Sequence, residues 1–137
     1  MGIATGQNLV NSIYSFISDS IGRSNPSGQL INVYELQAPD NTTLPVCVFT
    51  IISDVVTPAL SKSISEEVGL QVNFFGKKSL GSKVLRTISD ELFLELDRAV
   101  LFITGAKATV TGVIQNITTI EDGEVFNIRQ EYKILIT

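Results

Sequence analysis

Apolar residues fall into separate blocks along this chain, and the period within each block says what it folds into. Between Thr5 and Ile21, Leu9, Ile13, Phe16 and Ile17 recur at helical spacing, with Val10, Tyr14 and Ile21 widening the stripe. That predicts an amphipathic helix with Thr5 as N-cap and Gly22 as its stop. Arg23 to Gln29 has loop composition. Leu30 to Leu36 predicts a short strand, and Gln37 to Thr43, rich in Pro, Asp and Asn, a turn. Val46 to Ile52 is almost continuously apolar and β-branched, as in a central strand covered on both faces. Asp54 to Ser63 then reads as a long connection around Pro58.

From Ser65 to Phe75 the period drops to two. Val68, Leu70, Val72 and Phe74 take one face, and Gly69, Gln71 and Asn73 the other. After a turn over Gly76 to Ser82, Val84, Ile88, Leu92 and Leu96 stand four apart, joined by Leu85 and Phe93. This predicts a second helix over Lys83 to Leu96. The rest reads as a hairpin, Ala106 to Thr119 and Glu124 to Ile136, turning at Asp122-Gly123. On its last arm Phe126, Ile128, Tyr132, Ile134 and Ile136 oppose Asn127, Arg129, Glu131 and Lys133. No repeat or change of composition divides the chain. The expectation is a single α+β domain over 1–137. Its mostly antiparallel sheet has about four to five strands, with two helices on one face and a C-terminal hairpin.

Composition narrows the class. The 137 residues are 44% hydrophobic and only 18% charged, with a mean hydropathy of +0.28, which excludes a disordered chain. The balance also exceeds what a lone domain needs, so apolar surface is expected both under the sheet and against other subunits. No apolar run is long enough to span a membrane, and the start lacks the charge pattern of a secretory signal. The sequons at Asn41 and Asn116 are therefore read as accidental. Net charge is −4, so there is no basic footprint for specific nucleic-acid binding. A negative wall would instead repel phosphate and let DNA slide past.

Candidate chemistry is sparse. There is no histidine and one cysteine, which removes His-based catalytic systems and thiolate zinc sites. Cys47, between Val46 and Val48, reads as a small core residue. Gly76 to Lys83 imitates a phosphate-binding loop between strand and helix. However, lysine follows Ser82 rather than Gly81, which moves it about 100° round the helix. Asp90, Glu91, Glu95 and Asp97 read as a wet helix face with Arg86–Asp90 and Glu95–Arg98 pairs. Glu66, Glu67, Glu121, Asp122 and Glu124 sit near strand ends or turn tips. There charge blocks edge aggregation, or lines a pore, or meets a basic partner. The connection holding Val55, Val56, Pro58, Ala59 and Leu60 is unusually apolar for a loop. It either folds back over the sheet or forms an arm that inserts into a neighbour.

Several ordered features resemble the tail-completion and tail-terminator (neck) proteins of long-tailed bacteriophages. They are an initial helix, Ala38-Pro39, Leu44-Pro45, the strand VFTIISD (Val48 to Asp54) and a variable loop. EEVGLQVNFFG (Glu66 to Gly76), a helix with Ile/Leu anchors, Ile103-Thr104-Gly105 and a hairpin at Asp122-Gly123 follow. The likeness is best over Leu44 to Leu96. It departs at Val46-Cys47, where the family often has an aromatic.

The resemblance implies a ring of about six subunits on the head-proximal end of the tail tube, ending its growth and docking to the head connector. It implies no catalytic residue, cofactor or metal. The implied partners are copies of the chain, the tail tube protein, the head–tail connector and passing genomic DNA that is not specifically bound, with no membrane. The implied location is the virion neck, after assembly in the host bacterial cytoplasm. A different head–tail adaptor, a tail tube-like subunit and a small nucleotide-binding module on the Gly76–Lys83 turn are the alternatives.

Overall fold

The first helical stripe forms α1 (Gln7–Ser24), which buries Leu9, Ile13, Ile17 and Ile21 and leaves Tyr14 exposed. The computed structural model describes residues 7–24, 31–39, 44–58, 64–78, 83–103, 106–120 and 124–136. The proposed cap Thr5 lies outside these. Gly22 does not stop the helix. It faces open space, and one residue on, Arg23 pairs with Glu95 of the second helix at 2.5 Å, tying down the last turn.

The strands are β1 (Asn32–Glu35), β2 (Val46–Pro58), β3 (Ile64–Lys77), β4 (Val100–Ile103), β5 (Ala106–Ile120) and β6 (Val125–Ile136). The second helix, α2, spans Lys83–Leu96. They form one sheet in the order β1-β2-β3-β6-β5-β4, curled into a half-barrel with mostly strand content. This corrects the expected sheet of four to five strands. The sheet has six, and it is mixed, because β1 runs parallel to β2 while every other pair is antiparallel.

The extra strand is β4. Its apolar run is too short to declare a period, and tertiary pairing makes it a strand. Backbone bonds from Arg98 N to Val110 O (2.6 Å) and from Val110 N to Ala99 O (2.9 Å) steer the chain from α2 onto β5.

The expected loop after Val46–Ile52 is the second correction. Val55, Val56 and Pro58 lie in β2, opposite Glu67, Glu66 and Ile64 of β3. Ala59 and Leu60 lie outside the described residues. Proline is tolerated here because β1 pairs β2 only as far as Phe49. Beyond that point the outer side of β2 pairs with no strand among the described residues, so it needs no donor there.

One side of the sheet carries the core. Cys47 and Phe49 of β2, Val68 to Phe74 in alternation on β3, and Phe126 to Ile136 in alternation on β6 meet the buried stripes of α1 and α2. Gly76 sits under this packing. A Cβ there would come 2.7 Å from Phe126 Cζ and 3.0 Å from Leu85 Cδ2. The glycine is required by α2's approach to the sheet, which is a packing role for a residue that imitates a phosphate loop. Ser79 to Ser82 lie outside the described residues.

Candidate functional site

Among the described residues no helix covers the other side of the sheet. Cross-strand register assigns to it Thr50 and Ser53 of β2, Glu67, Gly69, Gln71, Asn73 and Phe75 of β3, and Asn127 to Leu135 in alternation on β6. Val100 and Phe102 of β4 join it through Thr109 and Lys107 of β5.

Two β-bulges disturb this face at the same level, one at Ile52 between Ile51 and Ser53, the other at Val113 between Gly112 and Ile114. A bulge pushes an unpaired residue out of the ladder and bends the strand. Here it turns two β-branched side chains to solvent. Gly69 lies between them with no side chain, leaving a depression of about 260 Å³ lined also by Ser53, Glu67, Glu131 and Lys133. A Cβ on Gly69 would meet Ser53 Oγ at 2.5 Å and Ile52 Cγ1 at 3.1 Å.

Nine large apolar residues remain exposed among those described, and six of them share this face: Ile52, Val100, Phe102, Val113, Ile114 and Leu135. Phe102 is 73% exposed. Val46, Val48, Phe75 and Val125 share the face with little exposure, and charged and amide side chains fill its middle. Lys133 Nζ binds Glu67 Oε1 at 2.9 Å, and Arg129 Nε lies 3.7 Å from Glu131 Oε2, too long for a hydrogen bond. Asn116 Oδ1, Asn127 Oδ1 and Arg129 Nε are sealed from solvent without a hydrogen-bond partner among the described residues. The register places Asn116 beside Arg129, and Asn127 two positions before it on β6. The arrangement offers a surface for association. Among the described residues no three acidic, Cys or His side chains come together to hold a metal.

The acidic residues singled out in the sequence do not converge. Glu67 is on the helix-free face in its ion pair. Glu66 is 4% exposed and on the opposite, core-side face, so a channel-lining role does not fit it in the single chain. Its carboxyl is hydrogen-bonded to that of Asp54. Burial first, then this bond and the Glu66 charge, hold Asp54 above the usual carboxylate range. Asp54 Oδ1 is itself sealed off without a partner. Glu124 is exposed at the far end of the sheet, its carbonyl accepting Lys78 N. That end is roughly 30 Å along β3 from Glu67. Glu121 and Asp122 lie outside the described residues. On α2, Glu95 pairs with Arg23, Asp90 accepts Gln115 Nε2 at 2.8 Å and Asp97 accepts Gly112 N at 2.8 Å.

No family model matches the chain, and no curated protein matches it. Its fold does recur among solved structures. A chain of the structure described as "Virion of native gene transfer agent (GTA) particle" superposes with a TM-score of 0.66, over 96% of this chain and 98% of that one. Sequence identity is 9%. The likeness is one of fold.

One polar cluster escaped the sequence reading. Gln130 stands on the core face between Ile128 and Tyr132 and is fully buried. Its Nε2 donates to Ser89 O (2.7 Å) and Gln115 Oε1 (2.5 Å), and its Oε1 accepts the Tyr132 hydroxyl (2.5 Å). The Tyr132 ring packs on Phe93 of α2 at 5.4 Å between centroids. The signal was a gap: the apolar alternation of β6 skips one position and resumes in phase. A polar residue held at a core position is one with partners.

Proposed function

We propose that this chain is a structural protein of a tailed, phage-like virion, with a role in assembly rather than catalysis. The observation carrying this reading is the near end-to-end fold likeness to a chain of a gene transfer agent virion. A helix-free sheet face that gathers six exposed apolar residues supports it, because such surface is normally spent on association.

Within that class the role is a tail terminator. Copies form a ring of about six subunits on the head-proximal end of the tail tube, stop its growth and present a surface to the head connector. The ordered features Leu44-Pro45, Val48 to Asp54 and Glu66 to Gly76 support this finer role. DNA passes the ring without specific binding, in keeping with a net charge of −4. The protein resides in the virion neck after assembly in the bacterial cytoplasm.

Native mass spectrometry over a concentration series, with negative-stain imaging, tests the reading. A single closed ring with a central hole is expected. Open-ended tubes would make the chain a tube-like subunit instead. A strict monomer that also leaves purified tail tubes uncapped overturns the proposal.

A further inference from the structure

The sheet has two lateral edges, β1 and β4, each four residues long. We infer that β4 of one copy pairs in parallel with β1 of the next, so that the sheet continues from subunit to subunit; this rests on the ring reading above. Several observations lead there.

Direction comes first. Tracing the pairings from β1 across to β4 brings the chain back to the same sense, so both edges run the same way. Joining unlike edges is a head-to-tail contact, the kind that generates rings.

The second is that β4 is an unprotected edge. Edge strands are normally blunted by charge, proline or bulges. The open half of β2 has all of these, in Asp54, Pro58 and the Ile52 bulge. Val100-Leu101-Phe102-Ile103 has none. Alternation of the antiparallel ladder turns the N–H and C=O of Val100 and Phe102 away from β5. Their side chains are also among the exposed apolar ones. Beside them runs a groove of about 480 Å³ whose other wall is α1, through Asn11, Ser15, Phe16 and Asp19. A helix next to an open strand edge is a seat for an added strand.

The third concerns the occupant. In the continued sheet Tyr34 of β1, half-buried, falls on the same face as Phe102. The exposed cations flanking β4, Arg98 and Lys107, form no ion pair among the described residues. Two β4 edges meeting each other would bring basic flanks together instead.

Phe102→Pro tests the pairing, because it removes an outward N–H and an exposed ring while leaving the β4–β5 ladder intact. Its oligomer should dissociate at a concentration at least about tenfold higher than the parent's, with an unchanged urea midpoint for the monomer. A chain carrying both Tyr34→Cys and Phe102→Cys supplies the second reading. Cys47 is buried and its thiol is held protonated by burial, so the introduced thiols alone react. Oxidation should give a disulfide-linked ladder ending at the ring number, whereas either single variant stops at dimers. A ring that forms equally well from Phe102→Pro, with no 34–102 cross-link, overturns the pairing and leaves the ring standing. A chain monomeric at every concentration and inert towards tail tubes overturns both.

Discussion

Gln130→Leu is the most informative single perturbation of the core. It puts an apolar side chain of similar volume at the same buried position and removes three hydrogen bonds at once. Their losses are unequal. The Tyr132 hydroxyl, in a residue only 2% exposed, is left without an acceptor, at a cost of about 1–3 kcal/mol. The Ser89 carbonyl keeps its place in the α2 ladder, so about 1 kcal/mol goes there. Gln115 is exposed and turns to water. Leucine returns part of this by burying more apolar surface, leaving a net loss of about 2–3 kcal/mol. The hydroxyl's share is separable. Adding Tyr132→Phe to Gln130→Leu removes the orphaned group, so the double variant should be more stable than Gln130→Leu alone by about 1–2 kcal/mol. Tyr132→Phe in the parent should destabilise, because it strands the Gln130 oxygen. Urea unfolding followed by far-ultraviolet circular dichroism, with an unchanged slope, reads all four corners of the cycle. Strictly additive effects would refute the network as the reason a glutamine occupies this core position.

Three further outcomes follow from local geometry. Arg98 sits at φ 70° just past the end of α2, a left-handed position that costs a side chain about 1 kcal/mol. Arg98→Gly should therefore raise the urea midpoint, and a lowered midpoint would mean the Arg98 side chain contributes more than its backbone costs. Asp54 titrates above its unfolded value of 3.8 because of burial and its bond to Glu66. The stability it gives is present below that value and lost as pH rises through the raised one. Asp54→Asn should accordingly stabilise the fold at neutral pH and lose that advantage near about pH 3. An equal difference at both pH values would count against this. At the alkaline end, burial lifts the Cys47 thiol above its usual 9.0. Burial, then the Cys47 and Asp97 charges, lifts the Tyr132 phenol above its usual 10.0. The unfolded chain releases these protons first, so thermal stability should fall as pH rises past about 9. In Cys47→Ala the fall should begin about one pH unit later.

Where one face of an element is buried, the sequence already spelled out the structure. The second helix has the bounds its four-residue spacing predicts, and the alternation of Val68 to Phe74 and Phe126 to Ile136 names the core face. Gln130 hid because periodicity counts apolar residues and cannot see a polar one with partners. β4 and the far half of β2 hid for a related reason. Val100–Ile103 is too short to show a period, and the Ile52 bulge puts Asp54 and Pro58 where an unbroken alternation would not. Parallel pairing of β1 with β2 has no local signature at all. On the candidate face, Val113 and Ile52 are visible in the sequence as apolar residues. Only the bulges tell that they point to solvent beside Gly69.

How a neighbour can use that face is constrained by what lies at its middle. A second sheet stacked squarely on it would bury Glu67, Arg129, Glu131 and Lys133. Desolvating two ion pairs costs more than their attraction returns unless new hydrogen bonds satisfy their remaining polar atoms. The apolar residues are concentrated towards one flank, with Val100 and Phe102 on β4 and Val113 and Ile114 on β5. Contact along that flank hides apolar surface and leaves Glu67 of β3 and the charged row of β6 in water. It is the arrangement that suits a subunit joined to its neighbours side by side, with the charged middle of the face left in water.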